Sequence, residues 1–198
     1  AALTTRRAPA VADPAIAEPA DAERTLRVGL MSADFREHSV SRFLEPILRE
    51  HDGAAVRYTL YPLVAQQDEM TAQFRGWAEE WSDAAMQPEA RAAAAIRREK
   101  IDILIDLAGL TRGMRAHLLI ARAAPVQVTY LGYPNTTAMP NVDVRLVDSI
   151  TDPAGAESLA TERLVRLDPC FLCYTPPPVA RDIAARGAAD ESPVTFGS

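Results

Sequence analysis

Cysteine, lysine and aromatic residues are scarce in this chain of 198 residues, and each scarcity excludes something. Two cysteines, Cys170 and Cys173, cannot staple a disulfide scaffold. With no second pair and no neighbouring histidine, they also supply only half of a tetrahedral zinc site. The pair lies in an aromatic, strand-like stretch rather than at a helix start, so it reads as packing cysteines in a reducing compartment, which points to the cytoplasm. Lys100 is the only lysine, and the net charge is −6 with the arginines dispersed. No concentrated basic face exists for nucleic acid. No apolar run approaches the ~18 residues of a membrane span. Neither G-x-G-x-x-G nor G-x-x-x-x-G-K-[ST] occurs, which argues against a dinucleotide fold of the usual fingerprint and against a P-loop NTPase.

What is present is a regular alternation. Residues 1–24 are rich in Ala, Pro and acidic residues without apolar periodicity, and read as a disordered lead-in or linker. From Thr25 onward, short apolar runs follow at Leu26–Ser32, Val56–Tyr61, Ile101–Leu107, Val126–Tyr130, Val142–Val147 and Leu164–Leu167, with Glu80–Ser82 as a brief edge strand. Helical periodicity predicts helices over Ser39–His51, Asp68–Glu79, Pro88–Lys100 and Arg112–Arg122. Strands alternating with helices at this spacing imply right-handed crossovers, a mostly parallel sheet and an α/β fold.

Ligands of such sheets bind beyond the carboxyl ends of the strands. Three loops leave those ends with polar or glycine residues: Ser32–Ser39, Ala108–Gly113 and Leu131–Thr137. His38, beside Asp34 and Glu37 and just before a helix, has the position of a proton-transfer or phosphate-binding imidazole, and equally of a simple helix cap. His51 at a helix end complements the dipole, and His117 among leucines reads as packing. Asp106 reads as a cap on the loop that follows its strand. The Gly132-Tyr133-Pro134 turn permits close backbone approach to a ligand or to another domain.

Taken in order, Arg27–His38 (with S-x-D-F-x-x-H), Ile101–Gly109, Ala124–Pro134 (with P-V-Q-V-x-x-L-G-Y-P) and Cys170–Pro176 make the chain resemble the catalytic region of the O-linked N-acetylglucosamine transferase family, the SPINDLY-type protein glycosyltransferases. The last of these pieces is similar to the bacterial branch in particular. The resemblance covers about residues 24–176 plus Val194–Ser198. It implies a GT-B enzyme in which a Rossmann-like sheet with helices on both faces forms one half, here residues 25–178, with 179–198 leading into a second half. It further implies transfer of a sugar, N-acetylglucosamine from UDP-N-acetylglucosamine, to protein Ser or Thr without metal or other cofactor. On that model Asp34 and His38 serve catalysis, while Gly109, Thr111, Leu131, Gly132, Tyr133, Pro134 and Thr136 bind the donor. The expected partners are the second catalytic half, a protein acceptor and the UDP-sugar, with neither nucleic acid nor membrane among them. A half-cleft implies inactivity of the chain alone. Glu37, Leu110 and Asn135 depart from the family pattern, and motivate the alternative of a degenerate, non-catalytic binding or assembly module.

Overall fold

The computed structural model describes residues 24–64 and 66–176. The expectations for 1–23 and for 177–198, the lead-in and the passage to a second half, lie outside the described residues. Among the described residues seven strands form one sheet: β1 (Leu26–Ser32), β2 (Val56–Pro62), β3 (Glu80–Trp81), β4 (Ile103–Asp106), β5 (Val126–Thr129), β6 (Val144–Val147) and β7 (Arg163–Arg166). Their order is β3-β2-β1-β4-β5-β6-β7. Every pairing is parallel, with Leu26 opposite Val56 in β1–β2 and Met31 opposite Asp106 in β1–β4.

Four helices connect them: α1 (Ser39–Glu50), α2 (Glu69–Trp77), α3 (Glu89–Arg98) and α4 (Ala116–Ile120). Val40, Leu44 and Leu48 recur every four residues along α1, and join Met70 and Phe74 of α2 against Val28, Leu30 and Leu60 on one face of the sheet. Ala92 and Ile96 of α3 and Leu118 and Leu119 of α4 cover the other face, over Met31, Tyr61 and Leu104. Successive residues of β1 and β2 thus feed opposite cores, as the two-residue period of a strand requires. Helices lie on both faces, as the resemblance implied. Among the described residues no helix is long and apolar enough to cross a membrane.

Some elements are shorter than periodicity predicts. Helix α4 begins at Ala116, not Arg112, because Gly113 has φ +96°, outside the helical region. Pro88 is the N-cap of α3 rather than its first residue. His117 therefore sits in the first turn of a short helix, with Nδ1 3.2 Å from Glu89 Oε1 and Nε2 3.1 Å from an Arg115 nitrogen. It bridges α3 and α4 at the surface and does not pack in the core, contrary to the sequence reading. Burial and the neighbouring Arg115 charge lower its pKa.

Pro46 lies inside α1. Having no N–H, it leaves the Arg42 carbonyl one turn back without its helical partner. That carbonyl accepts the Thr175 N–H instead, at 2.9 Å.

Two contacts set the loops at the carboxyl end of the sheet. A Cβ on Gly132 would lie 2.0 Å from the Leu107 carbonyl oxygen, so the loop after β5 rests directly on the backbone after β4. Gly113 likewise faces Ala33, at 2.5 Å for the same added atom, joining the loops after β4 and β1. The close approach anticipated at Gly132 is therefore made to this domain's own backbone.

At the opposite end, His51 caps α1. Its Nδ1 is 2.9 Å from the Leu48 carbonyl and its Nε2 2.7 Å from Glu79 Oε1, and Glu79 also accepts the Tyr58 N–H at 2.8 Å. Burial opposes the charged ring, but the bonds to Glu79 and Leu48 outweigh it and raise the His51 pKa above 6.5. Burial likewise opposes the Glu79 charge, and the Tyr58 N–H and His51 outweigh that to hold Glu79 below 4.5. The histidine contributes fully below pH 6.5 and loses its contribution as pH rises through its raised value. The carboxylate contributes above pH 4.5 and loses its share as pH falls.

His51→Ala is expected to cost about 1–2 kcal/mol in urea unfolding at about pH 5.5, and less above about pH 8. A pH-independent difference would contradict the pairing. Gly132→Ala is expected to cost about 3 kcal/mol because backbone must move. Gly76→Ala in α2, where an added Cβ meets nothing within 4 Å, should gain about 0.5 kcal/mol in the same measurement.

Candidate functional site

The strand order reverses its direction of growth between β1 and β4, and the loops leaving these two strands diverge there. A cleft of about 590 Å³ opens at this point, lined from the first loop by Ala33, Asp34, Arg36 and His38, from the second by Thr111, Arg112 and Gly113, and by Gly132 from the third.

Phe35 fixes the first loop. Its ring is fully buried, 5.3 Å from Phe74 and 6.0 Å from Trp81, which is worth roughly 2–3 kcal/mol of apolar burial. The Thr71 hydroxyl donates to the Phe35 carbonyl at 2.7 Å. Asp68, N-cap of α2, accepts the Glu37 N–H at 2.7 Å and the Thr71 N–H at 2.9 Å, and these donors hold its carboxyl below the ordinary range. The buried Ser41 hydroxyl reaches the carbonyls of both Asp34 and Arg36. The residues flanking Phe35 are thereby presented to the cleft.

Asp34 is mostly buried, and its Oδ1 lies 3.3 Å from an Arg36 nitrogen. His38 is the N-cap of α1: Nδ1 accepts the Val40 N–H at 3.3 Å and lies 3.8 Å from Asp34 Oδ2. His38 is therefore at once a helix cap and a residue of the cleft lining. When Nδ1 accepts from Val40, the neutral ring carries its proton on Nε2. When Nδ1 is protonated it faces Asp34, and Nε2 is free to accept.

Asp106, fully buried at the end of β4, accepts the Gly109 N–H at 2.7 Å and caps its loop as expected. Burial pushes its pKa up to about 6, against the pull of the Gly109 and Ala108 amides. Tyr130, Leu131 and Gly132 form a tight turn in which the Gly132 N–H donates to the Tyr130 carbonyl at 3.0 Å, with Leu131 at φ +75°. A leucine in that region is strained by about 1–3 kcal/mol and is held there by its surroundings.

The nine residues singled out by sequence are distributed over four places. Asp34, His38, Thr111 and Gly132 line the cleft. Gly109 packs beneath the Tyr133 side chain. Leu131, Tyr133 and Pro134 wall a smaller cavity of about 60 Å³ behind the turn, with Arg145, whose Nε is buried without a hydrogen-bond partner among the described residues. Thr136 stands apart. Its hydroxyl donates to Glu162 at 2.7 Å, and Thr137 binds the same buried carboxylate. Burial disfavours the Glu162 charge, but the Thr137 and Thr136 bonds prevail and lower its pKa.

Arg36 and Arg112 are cleft residues that the sequence reading did not single out. Their signal was available: each is the basic residue of a loop leaving a strand's carboxyl end. Glu37 turns away to pair with Arg42 at 2.8 Å, so its charge is spent outside the cleft. Cys170 and Cys173 are both exposed, which corrects the expectation that they pack. Among the described residues no group of three or more His, Cys, Asp or Glu is placed to hold a metal ion.

Comparison with known proteins places this architecture. The probable UDP-N-acetylglucosamine–peptide N-acetylglucosaminyltransferase SPINDLY of Arabidopsis thaliana is 42% identical over 182 residues, covering 90% of this chain and 20% of that protein. A UDP-N-acetylglucosamine–peptide N-acetylglucosaminyltransferase of Caenorhabditis elegans is 32% identical over 148 residues, 74% of this chain and 13% of the other. A solved O-GlcNAc transferase mutant from Thermobaculum terrenum superposes with a TM-score of 0.78 at 37% identity, covering 86% of this chain and 32% of that one. The chain thus spans about a fifth of the length of the Arabidopsis relative. The model of glycosyl transferase family 41 matches residues 9–176, and the chain belongs to that family.

Proposed function

We propose that this chain forms one wall of the active cleft of a protein glycosyltransferase. That enzyme moves a sugar from a nucleotide diphosphate donor to a protein Ser or Thr hydroxyl. The relatives' names support N-acetylglucosamine as the sugar and UDP-N-acetylglucosamine as the donor. The observation that carries this reading is the Asp34–His38 pair at the switch-point cleft, with Arg36 and Arg112 on the same lining.

Such a transfer needs a base within reach of the acceptor hydroxyl and stabilisation of the leaving diphosphate. The base role uses the tautomer in which Nδ1 carries the hydrogen and is turned from Val40 to Asp34: the unprotonated Nε2 then takes the hydroxyl proton, and the Asp34 charge stabilises the imidazolium formed. Arg36 and Arg112 meet the negative charge that develops on the departing phosphates, so no metal ion is required for that role. Thr111 and the backbone at Gly132 face the donor. The Leu131–Pro134 turn, rigid and strained, shapes the sugar wall. The opposite wall comes from a further region, in the same chain or in another.

The test is sugar transfer by the intact transferase carrying this segment, with UDP-N-acetylglucosamine and a Ser/Thr protein acceptor. His38→Ala and Asp34→Asn are each expected to lower kcat by about 10²–10⁴-fold. Unchanged transfer in both variants would remove the pair from the chemistry. Arg112→Ala should raise the donor KM more than it lowers kcat.

A further inference from the structure

The exposure of Cys170 and Cys173 leaves the C-x-x-C pair without a packing role. Its surroundings supply another. After β7, residues 168–176 run back over the carboxyl end of the sheet to α1 and are held at two places. The first is Phe171: its N–H donates to Asp148 Oδ2 at 3.1 Å, its carbonyl accepts the Tyr130 hydroxyl at 2.7 Å, and its ring meets Tyr130 edge-on at 6.1 Å. The second is the Tyr174–Thr175 pair. The Thr175 N–H donates to the Arg42 carbonyl at 2.9 Å, and the Tyr174 ring lies 5.4 Å from Phe43.

The two cysteines bracket the first anchor, and Cys173 directly precedes the second. The Leu172 N–H points at Cys170 Sγ, 3.5 Å away, so this sulfur curls forward along the chain as an Asp side chain does in a turn. Both thiols also lie within electrostatic reach of the same phenol. Burial first, then the charges of Cys173 and Cys170, push Tyr130 up to about 12.

We propose that Cys170 and Cys173 are a reversible dithiol–disulfide site whose co-reactant is a small disulfide of the glutathione type. One thiol, as its thiolate, attacks a sulfur of the co-reactant and expels one small thiolate. The second cysteine, again as thiolate, attacks the mixed disulfide and expels the other. The protein loses two protons and two electrons, and the small disulfide is reduced to two thiols. Exposed disulfides of this kind are the readily reduced, regulatory ones.

Closing the ring holds the two Cα atoms about 5.5 Å apart and fixes the backbone at Phe171. Phe171 is bonded to Tyr130, the residue before the strained Leu131, and the second anchor is bonded to Arg42, which clasps Glu37 beside His38. The site is therefore tied to two of the loops that line the cleft, and it stands whether or not the cleft transfers sugar.

The test equilibrates the full chain with mixtures of reduced and oxidised glutathione, traps free thiols with iodoacetamide and reads intact mass. The expected product under oxidising mixtures has lost the mass of two hydrogens, carries no label on either cysteine, and is restored by dithiothreitol. Cys170→Ser and Cys173→Ser, each folded by circular dichroism, should stop at an adduct of one glutathione. Full alkylation of both thiols at every ratio overturns the proposal. So does oxidation that yields only cross-linked dimers or a doubly glutathionylated chain.

Discussion

The burial of one phenylalanine governs the site. Phe35 is the only apolar side chain in the polar stretch Ala33–Ser39 apart from Ala33 itself, and its ring is fully enclosed between α2 and the sheet. A loop so anchored can place Asp34 and Arg36 on either side of it toward the cleft. The hydrogen bonds from Thr71, Asp68 and Ser41 then remove the remaining freedom. Those bonds tie the loop to α2 and to its own helix rather than to the strands. The geometry of the candidate base therefore depends on how α2 docks on the sheet.

The two ends of the sheet are held by different physics. At the amino end, His51, Glu79 and Tyr58 form a charged cluster around the close of α1. At the carboxyl end steric contact is added to the hydrogen bonds of Asp68, Ser41, Thr71 and Asp106: glycines rest on backbone, and Leu131 is confined to a strained conformation. Contact of that kind does not respond to pH or salt, whereas the Asp106 cap of the loop after β4, pushed up to about 6 by burial, and the Glu37–Arg42 pair beside the first loop do.

Most of the fold was legible because it rests on local patterns. The continuous apolar runs of β1 and β4 could only be strands buried on both faces, and the spacing of Leu44 and Leu48 could only serve a one-sided helix. The cleft loops were legible too, since their position at strand ends follows from topology. What escaped was decided by partners distant in sequence. Thr136 looked like a ligand contact, yet Glu162 claims its hydroxyl from 26 residues away. The need for a small residue at Gly132 was visible, but its neighbour, the Leu107 carbonyl, was not. Glu37 looked like a departure from the family pattern, and Arg42, one turn into α1, pairs with its carboxylate outside the cleft. Arg36 and Arg112 were marked by their places in loops at strand ends, but that they share one cleft shows only once those loops lie side by side.

Pro46 shows what an imperfect helix makes possible. The carbonyl it releases is the one that receives Thr175, so the returning segment is attached to α1 by a vacancy in the helix's own bonding. A residue with an amide hydrogen at position 46 would set the helix and the segment in competition for a single acceptor. Straightening α1 and loosening its neighbour would then be the same event. Helix stability at this position is thus exchanged directly for attachment across the domain, and an optimally helical sequence would be the wrong one here.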